Sequence, residues 1–264
     1  MKWPVTWPVK WLDLPRVPEP EAMDDSDEVE AYSSAAAQAY LGKIDDTLVN
    51  HAVRLAAGFA SNSTDPRNTS AKITRRLLDV GTGPGQITLK LAQRLPGWEL
   101  TGWHLTGIDR SPNMIRQAVT AAQVQSSSME QGNTTAARVE FLVGDANRLP
   151  FADASFDLVL CNSVLHHLAN PASLLAEIGR VAKPHAAILV RDLRRPSRIA
   201  YPFHVRWHGR HYSGLMYKLF CDSVRSAYTA EELAGMLRTA ALPGVRIFTH
   251  GGTHVGFERA ISDL

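Results

Sequence analysis

Along most of this chain, short apolar runs alternate with stretches in which apolar residues return every three or four positions. The short runs are Leu77-Leu78-Asp79-Val80, Trp103 to Asp109, Val139 to Asp145, Phe156 to Asn162 and Ala186 to Leu193. Their length and composition predict buried strands. Between them, Ile87, Leu91 and Leu95, and then Met114, Ile115, Ala118, Val119 and Ala122, keep the period of an amphipathic helix. Ser111-Pro112 supplies an N-cap with proline at the first helical position. A further helix is expected from Asn170-Pro171 to Ala182, stopped by Pro184. Strand and helix alternation of this kind predicts an α/β, Rossmann-like doubly wound sheet.

The flanks read differently. Thr229-Ala230-Glu231-Glu232 opens a helix that runs through Leu233 and Leu237 to Ala241. Val245 to Thr249, Gly251-Gly252 and Thr253 to Arg259 then read as a hairpin. Upstream, helical periodicity covers residues 29–60, with Ala31, Ala35, Ala39 and Tyr40 on one face, an interruption expected at Gly42, and Ile44, Leu48, Ala52, Leu55, Ala56 and Phe59 beyond it. Residues 1–28 hold Trp3-Pro4, Trp7-Pro8 and Trp11, whose prolines forbid a helix interior, followed by an acidic run from Glu19 to Glu30 that reads as a solvated linker. Ser61 to Ala71 and Gln125 to Ala136 are expected as polar surface loops.

Chemistry concentrates where the strands end. Asp79-Val80-Gly81-Thr82-Gly83-Pro84-Gly85-Gln86 is a strand, a glycine turn and a helix start, which is a nucleotide site in a doubly wound sheet. The glycine spacing departs from the dinucleotide fingerprint, with Gln86 where the last glycine belongs. Asp79 would repel a pyrophosphate, and suits a ligand carrying ammonium and sulfonium charges. No phosphate-binding P-loop is present. Asp79, Asp109 and Asp145 close three strands in register, which points to one ligand lying across the carboxyl ends of the sheet.

These blocks, with Gly144-Asp145-Ala146, Leu149-Pro150-Phe151 and Phe156-Asp157-Leu158-Val159, resemble the class I S-adenosylmethionine (SAM) dependent methyltransferases. The similarity is strong over about residues 73–193. It implies a sheet of seven strands, mostly parallel with an antiparallel C-terminal hairpin and helices on both faces. It also implies SAM as cofactor, with S-adenosylhomocysteine as product. On the matching positions, Asp79 would take the ammonium group and Gly81, Thr82, Gly83 and Gly85 would lie against the methionine and ribose. Asp109, with Arg110 beside it, would take the ribose hydroxyls. Asp145 and Ala146 would take the adenine, Met114 would cover one ring face, and Asn162 would sit near the methionine portion. The run Asn162-Ser163-Val164-Leu165 lacks the Pro-Pro-aromatic pattern of exocyclic-amine methyltransferases, and Cys161 lacks the preceding proline of a cytosine C5 nucleophile.

Residues 194–228 would form the acceptor lid of a methyltransferase domain spanning 29–264. Arg194, Arg195, Arg198, Arg206, Arg210, Lys218 and Arg225 face a single acid, Asp222, and are interleaved with Tyr201, Phe203, Trp207, Tyr212 and Tyr217. His166 and His167, just past the fourth strand, and His208 and Tyr212, in the lid, are the candidate catalytic residues, since histidine serves as a base near neutral pH. His204, His208 and His211 do not make a convincing metal set, because Gly209 interrupts them and no acid accompanies them; no metal is expected. A small-molecule acceptor is the main expectation. An RNA methyltransferase using the basic segment, and a non-catalytic SAM-binding or scaffold protein, are the alternatives.

Composition narrows the setting. The 264 residues are 45% hydrophobic and 20% charged with a net charge of +2, which gives no global polycation argument for nucleic acid. No apolar stretch approaches the ~20 residues that span a bilayer, and the N-terminus lacks an apolar signal core, so no membrane partner is expected. The two cysteines, Cys161 and Cys221, suit a reducing, cytoplasmic setting. Oligomeric state and the acceptor atom are not legible.

Overall fold

In the computed structural model, the described residues are 9–19, 25–61, 74–95, 102–129, 138–240 and 242–261. The expected Rossmann-like sheet forms. Strands β1 (Arg75–Val80), β2 (Trp103–Asp109), β3 (Arg138–Val143), β4 (Phe156–Asn162), β5 (Ala182–Leu193), β6 (Arg246–His250) and β7 (His254–Arg259) lie in the order β3-β2-β1-β4-β5-β7-β6. The first five run parallel, and β7 pairs antiparallel with both β5 and β6. Strand order reverses between β1 and β4, where a doubly wound sheet opens a crevice at its carboxyl edge.

Two apolar layers sandwich the sheet because the strand residues alternate faces. On one side Leu77, Leu105, Leu158, Leu160 and Leu189 pack under α2 (Ala35–Ser61) and α3 (Gln86–Arg94), through Leu48, Ala52, Ala56 and Leu91. On the other, Leu78, Val80, Val159, Ile188 and Val190 meet Leu174, Leu175 and Ile178 of α5 (Ala172–Val181) and Leu233 of α8 (Ala230–Thr239). Helix α4 (Pro112–Met129) packs on β2 and β3, and starts where Ser111 Oγ accepts the Met114 N–H at 3.3 Å. Thr229 and Glu232 close a full capping box on α8.

Several boundaries depart from the sequence expectation. The N-terminal helices break at Ser34 rather than Gly42: α1 (Ser26–Ser33) ends there with ψ at 145°, and α2 runs unbroken through Gly42. The Gly42 carbonyl accepts a hydrogen bond from Lys90 Nζ at 2.7 Å, tying this turn to α3. Pro184 does not stop α5; it lies inside β5. The register shifts between the Phe156–Ala182 and Leu158–Ala187 pairs, so the missing N–H falls in an irregular stretch of the ladder. Helix α4 continues to Met129, through the first residues expected as loop. Ser61, the first residue of the first expected loop, ends α2; residues 62–71 of that expected loop, residues 130–136 of the second, and Trp3 and Trp7 lie outside the described residues.

The 194–228 segment folds into α6 (Tyr201–Gly209) and α7 (Gly214–Ser226), packed on each other, with α1 also against α7. Residues 13–19 form a strap across this unit. Arg198 N–H donates to the Leu12 carbonyl at 2.7 Å, Arg195 Nε to Leu14 at 2.8 Å, and Val17 N–H to Arg225 at 3.2 Å.

Candidate active site

The glycine turn is fixed from below. Gly81 and Thr82 donate their N–H groups to the Ile108 carbonyl at 2.8 and 3.0 Å, which docks the turn on the end of β2. Gly81, Gly83 and Gly85 have φ of 71°, 54° and 83°, a region that favours glycine. The outer two are also sterically required: a Cβ on Gly81 would fall 2.2 Å from Val164 Cγ2, and one on Gly85 2.8 Å from Phe141 Cζ. Gly83 meets nothing within 4 Å and faces the cavity.

Asp109 braces this turn. Its Oδ2 accepts the Gly83 N–H at 2.8 Å and its Oδ1 the Ser111 N–H at 2.9 Å. Asp79 is buried, and Oδ2 accepts the hydroxyls of Thr88 at 2.6 Å and Thr82 at 2.9 Å. Burial pushes its carboxyl up to about 6, against those two hydrogen bonds, and the Asp109 and Asp45 charges add to the rise. Asp145 is exposed, its Oδ1 accepting the Asn147 N–H at 2.8 Å. Asn162 Oδ1 accepts from Arg191 Nε at 2.8 Å, and Arg191 also donates to the Ile44 carbonyl and Thr47 Oγ1 of α2.

A cavity of about 680 Å³ opens above these strand ends, within the usual range for small-ligand sites. Of the residues expected at the cofactor, Asp79, Gly81, Thr82, Gly83, Asp109, Arg110, Met114, Asp145, Ala146 and Asn162 all line it. Gly85 does not. It packs against Phe141 and Ala118 behind the turn, so its requirement is the close approach of helix and strand rather than ligand contact. His166, His167, His208 and Tyr212 line the same cavity, as do Tyr32 and Tyr40 of the N-terminal helices.

The two halves of the histidine pair differ. His166 is buried, with Nδ1 at 2.5 Å from Asp192 Oδ1 and Nε2 at 3.4 Å from Glu19 Oε1. Burial alone would lower its pKa, but the Asp192 and Glu19 carboxylates outweigh that and raise it. His167 is half-buried, with Nδ1 at 3.0 Å from the same Glu19 oxygen. Glu19 is thus a bound residue of the strap and not part of a solvated acidic linker; burial raises its pKa, and Ser223 Oγ donates to it at 3.3 Å. Arg16 completes the cluster, donating to the carbonyls of His166 at 3.0 Å and Leu168 at 2.8 Å with its guanidinium 4.2 Å over the Tyr228 ring. Glu19, His166 and His167 bring one ligand atom each within 4.8 Å of the others. Within that cluster Glu19 and Asp192 flank His166 at its two ring nitrogens, and Glu19 also meets His167.

The roof is aromatic. Tyr40 stacks on His211 at 4.1 Å and meets Tyr212 edge-on at 5.5 Å, and Tyr212 lies 5.3 Å from Phe220. Burial raises the Tyr212 phenol, and burial followed by the Arg210 charge lowers His208. His211 lies beyond α6 and turns to Tyr40, so the three lid histidines do not converge.

Sequence reasoning did not single out Asp45, Arg191, Asp192 or Glu19. Arg191-Asp192 carried a signal, a charged pair at the carboxyl end of an apolar strand. Burial pulls Arg191 down to about 10 and raises Asp45 to about 6. Nothing local marked Asp45 or Glu19, whose partners are far away in sequence.

A parallel sheet with a glycine turn and strand-end acids around one cavity defines a nucleotide-binding α/β protein. Residues 78–190 match the family model described as a methyltransferase domain. That match supports a class I SAM-dependent methyltransferase domain over residues 78–190, a domain type whose cofactor is SAM. The chain is 31% identical over 131 residues to an uncharacterized methyltransferase of Schizosaccharomyces pombe, covering 50% of this chain and 44% of that protein. It is 30% identical over 181 residues to the ubiquinone/menaquinone biosynthesis C-methyltransferase UbiE of Desulfotalea psychrophila, covering 64% and 66%. The chain therefore spans under two thirds of the length of these relatives. The fold also matches the crystal structure of a SAM dependent methyltransferase from Aquifex aeolicus, with TM-score 0.53 at 18% identity over 90% of this chain and 99% of that one. No helix among the described residues is long and apolar enough to cross a membrane.

Proposed function

We propose that the chain transfers the methyl group of SAM to a small-molecule acceptor held between the strand ends and the roof of α2, α6 and α7. The observation that carries this reading is the single cavity shared by the strand-end acids and by His167, His208 and Tyr212. In this reading Asp79 pairs with the ammonium group. The open backbone at Gly83, with Gly81 and Thr82, lies against the methionine and ribose, and Asp109 and Arg110 serve the ribose. Asp109 keeps lone pairs for the hydroxyls while it braces the turn, since each carboxylate oxygen accepts more than one hydrogen bond. Asp145, Ala146 and Met114 enclose the adenine, and Asn162, oriented by Arg191, borders the methionine portion.

The bound cofactor supplies a strongly electrophilic methyl group, so the protein's task is alignment of the acceptor. His167 and His208 are placed to take a proton where the acceptor must lose one, while His166 has both ring nitrogens directed at carboxylates. Burial lowers the His208 pKa and so favours the neutral form that a base requires. The inward direction of His208 and Tyr212 supports a small acceptor over an RNA. Cytoplasmic residence fits the two free cysteines.

Turnover of SAM to S-adenosylhomocysteine against a panel of phenols, amines, thiols, activated carbon acids and RNA tests the proposal. A small-molecule acceptor should support turnover. NADH binding without SAM binding would refute the cofactor assignment, and turnover on RNA alone would refute the acceptor class.

A further inference from the structure

Helix α6 has two different sides. Val205 is buried beneath it and His208 lines the cavity, whereas Phe203 and Trp207 point outward and are 71% and 64% exposed. Ile199, in the turn before the helix, is 59% exposed and continues the same row at four-residue spacing. Trp11, 64% exposed, lies beside the row because the Arg198 N–H is bonded to the Leu12 carbonyl. Exposed Arg198, Arg206 and Arg210 are interspersed with these side chains, and the Arg210 guanidinium sits 4.2 Å over the Trp207 ring. The one acid of the 194–228 segment, Asp222, is taken by Lys218 at 2.8 Å.

We propose that this face docks on an anionic phospholipid surface. Large apolar side chains set among arginines are the composition of a helix that lies in the plane of a membrane, its apolar groups in the acyl boundary and its cations among the headgroups. Tryptophan is favoured at that depth because its ring is amphipathic. Charge selects lipid over a second copy of the chain, since pairing the face with itself would oppose arginine to arginine with no free acid of the segment to offset them. Absence of a spanning segment, from which no membrane partner was expected, does not bear on a surface-bound helix.

The consequence deepens the proposed function and rests on it. His208 is on α6 and Tyr212 just after it, so docking sets the acceptor chamber about one helix diameter, ~10 Å, from the lipid. The acceptor class this favours is an apolar molecule dissolved in the bilayer.

The test is sedimentation of the full-length protein with vesicles of phosphatidylcholine, with and without phosphatidylglycerol, over a range of salt. The wild type should bind the phosphatidylglycerol vesicles, lose them as salt rises, and ignore pure phosphatidylcholine. A Phe203→Ser, Trp207→Ser double variant should lose roughly tenfold or more in vesicle affinity, and an Arg206→Glu, Arg210→Glu variant the same, with SAM affinity and melting temperature unchanged. No binding by the wild type, or equal binding by both variants, overturns the proposal. So does a dimer in sedimentation velocity that the serine variant abolishes without any vesicle binding. Failure of SAM turnover with vesicle binding intact would instead count against the proposed function.

Discussion

His166 Nδ1 and Asp192 Oδ1 lie 2.5 Å apart, both buried, at the point where β5 ends beneath the 3-10 turn Leu165–His167. The Asp192 charge, with Glu19 behind it, raises the His166 pKa against the effect of burial, and His166 in turn holds Asp192 below the usual carboxylate range against its own burial. Removing one partner strands a buried charge, so Asp192→Asn should cost about 3–5 kcal/mol in urea unfolding. Because the His166 pKa is raised in the folded state, the stabilisation it gives is complete below its unfolded value of ~6.5 and is lost as pH rises through the higher folded value. Stability of the wild type should therefore decline on the alkaline side of pH ~6.5 more than that of a His166→Gln variant, measured by the same titrations.

The Asp79 carboxyl, raised to about 6 by burial, sets a pH dependence of a different sign. An ammonium group binds the ionised form, so SAM affinity should be highest above pH 6 and fall as the carboxyl protonates. The fall should approach tenfold per pH unit well below that value. Calorimetry between pH 5 and 8 checks it. Asp79→Asn should bind weakly at every pH, and a wild-type affinity independent of pH would remove Asp79 from the ammonium role.

Asp109→Ala should weaken SAM binding by about 1.5–3 kcal/mol, the range for a hydrogen bond to a charged group. The structure adds a second cause, since the same carboxylate holds the Gly83 and Ser111 N–H groups. Asp109→Asn keeps one acceptor oxygen and should fall between wild type and alanine. An alanine variant that folds and binds SAM normally would refute the ribose assignment.

Gly81→Ala meets two obstacles, a φ of 71° and a Cβ only 2.2 Å from Val164 Cγ2. We expect a loss of at least ~1–2 kcal/mol in thermal unfolding from the backbone conformation alone, with the steric clash added. Val164→Ala in the same chain should restore part of the second cost and none of the first. The coupling in this double-mutant cycle is the measurement.

The sheet was legible because each strand carried its own apolar run and three of them ended in an acid. Those same acids predicted a shared cavity, and Asp79, Asp109 and Asp145 do line one. The reason for Gly85 was not legible, because a positive φ set by packing against Phe141 and Ala118 looks identical in sequence to one set by a ligand. Pro184 misled because the sequence does not show that the ladder is irregular beside it. Glu19 was invisible for a more general reason. Its partners His166 and His167 lie nearly 150 positions away, and nothing in an acidic run says which carboxylate will be buried.

Tyr212 offers the sharpest division between cofactor and acceptor. Its ring stands edge-on to Tyr40 and beside Phe220, on the roof of the cavity and away from the strand-end acids. An aligned transfer is limited by how the acceptor is held, and a change at the roof alters that without touching the glycine turn. Tyr212→Phe removes a hydroxyl and keeps the ring, whereas Tyr212→Ala removes the packing that positions α6 against α2. If the hydroxyl contacts the acceptor, phenylalanine should raise KM or lower kcat by roughly tenfold and leave SAM affinity within twofold. If only the ring matters, phenylalanine should behave as wild type and alanine should show the loss. His208→Gln separates alignment from proton transfer in the same assay, because removing a base lowers kcat with a changed pH profile and removing a contact does not. Unaltered kinetics in all three variants would show that the acceptor does not reach this roof, and would move the search to Tyr32, Tyr40 and His167.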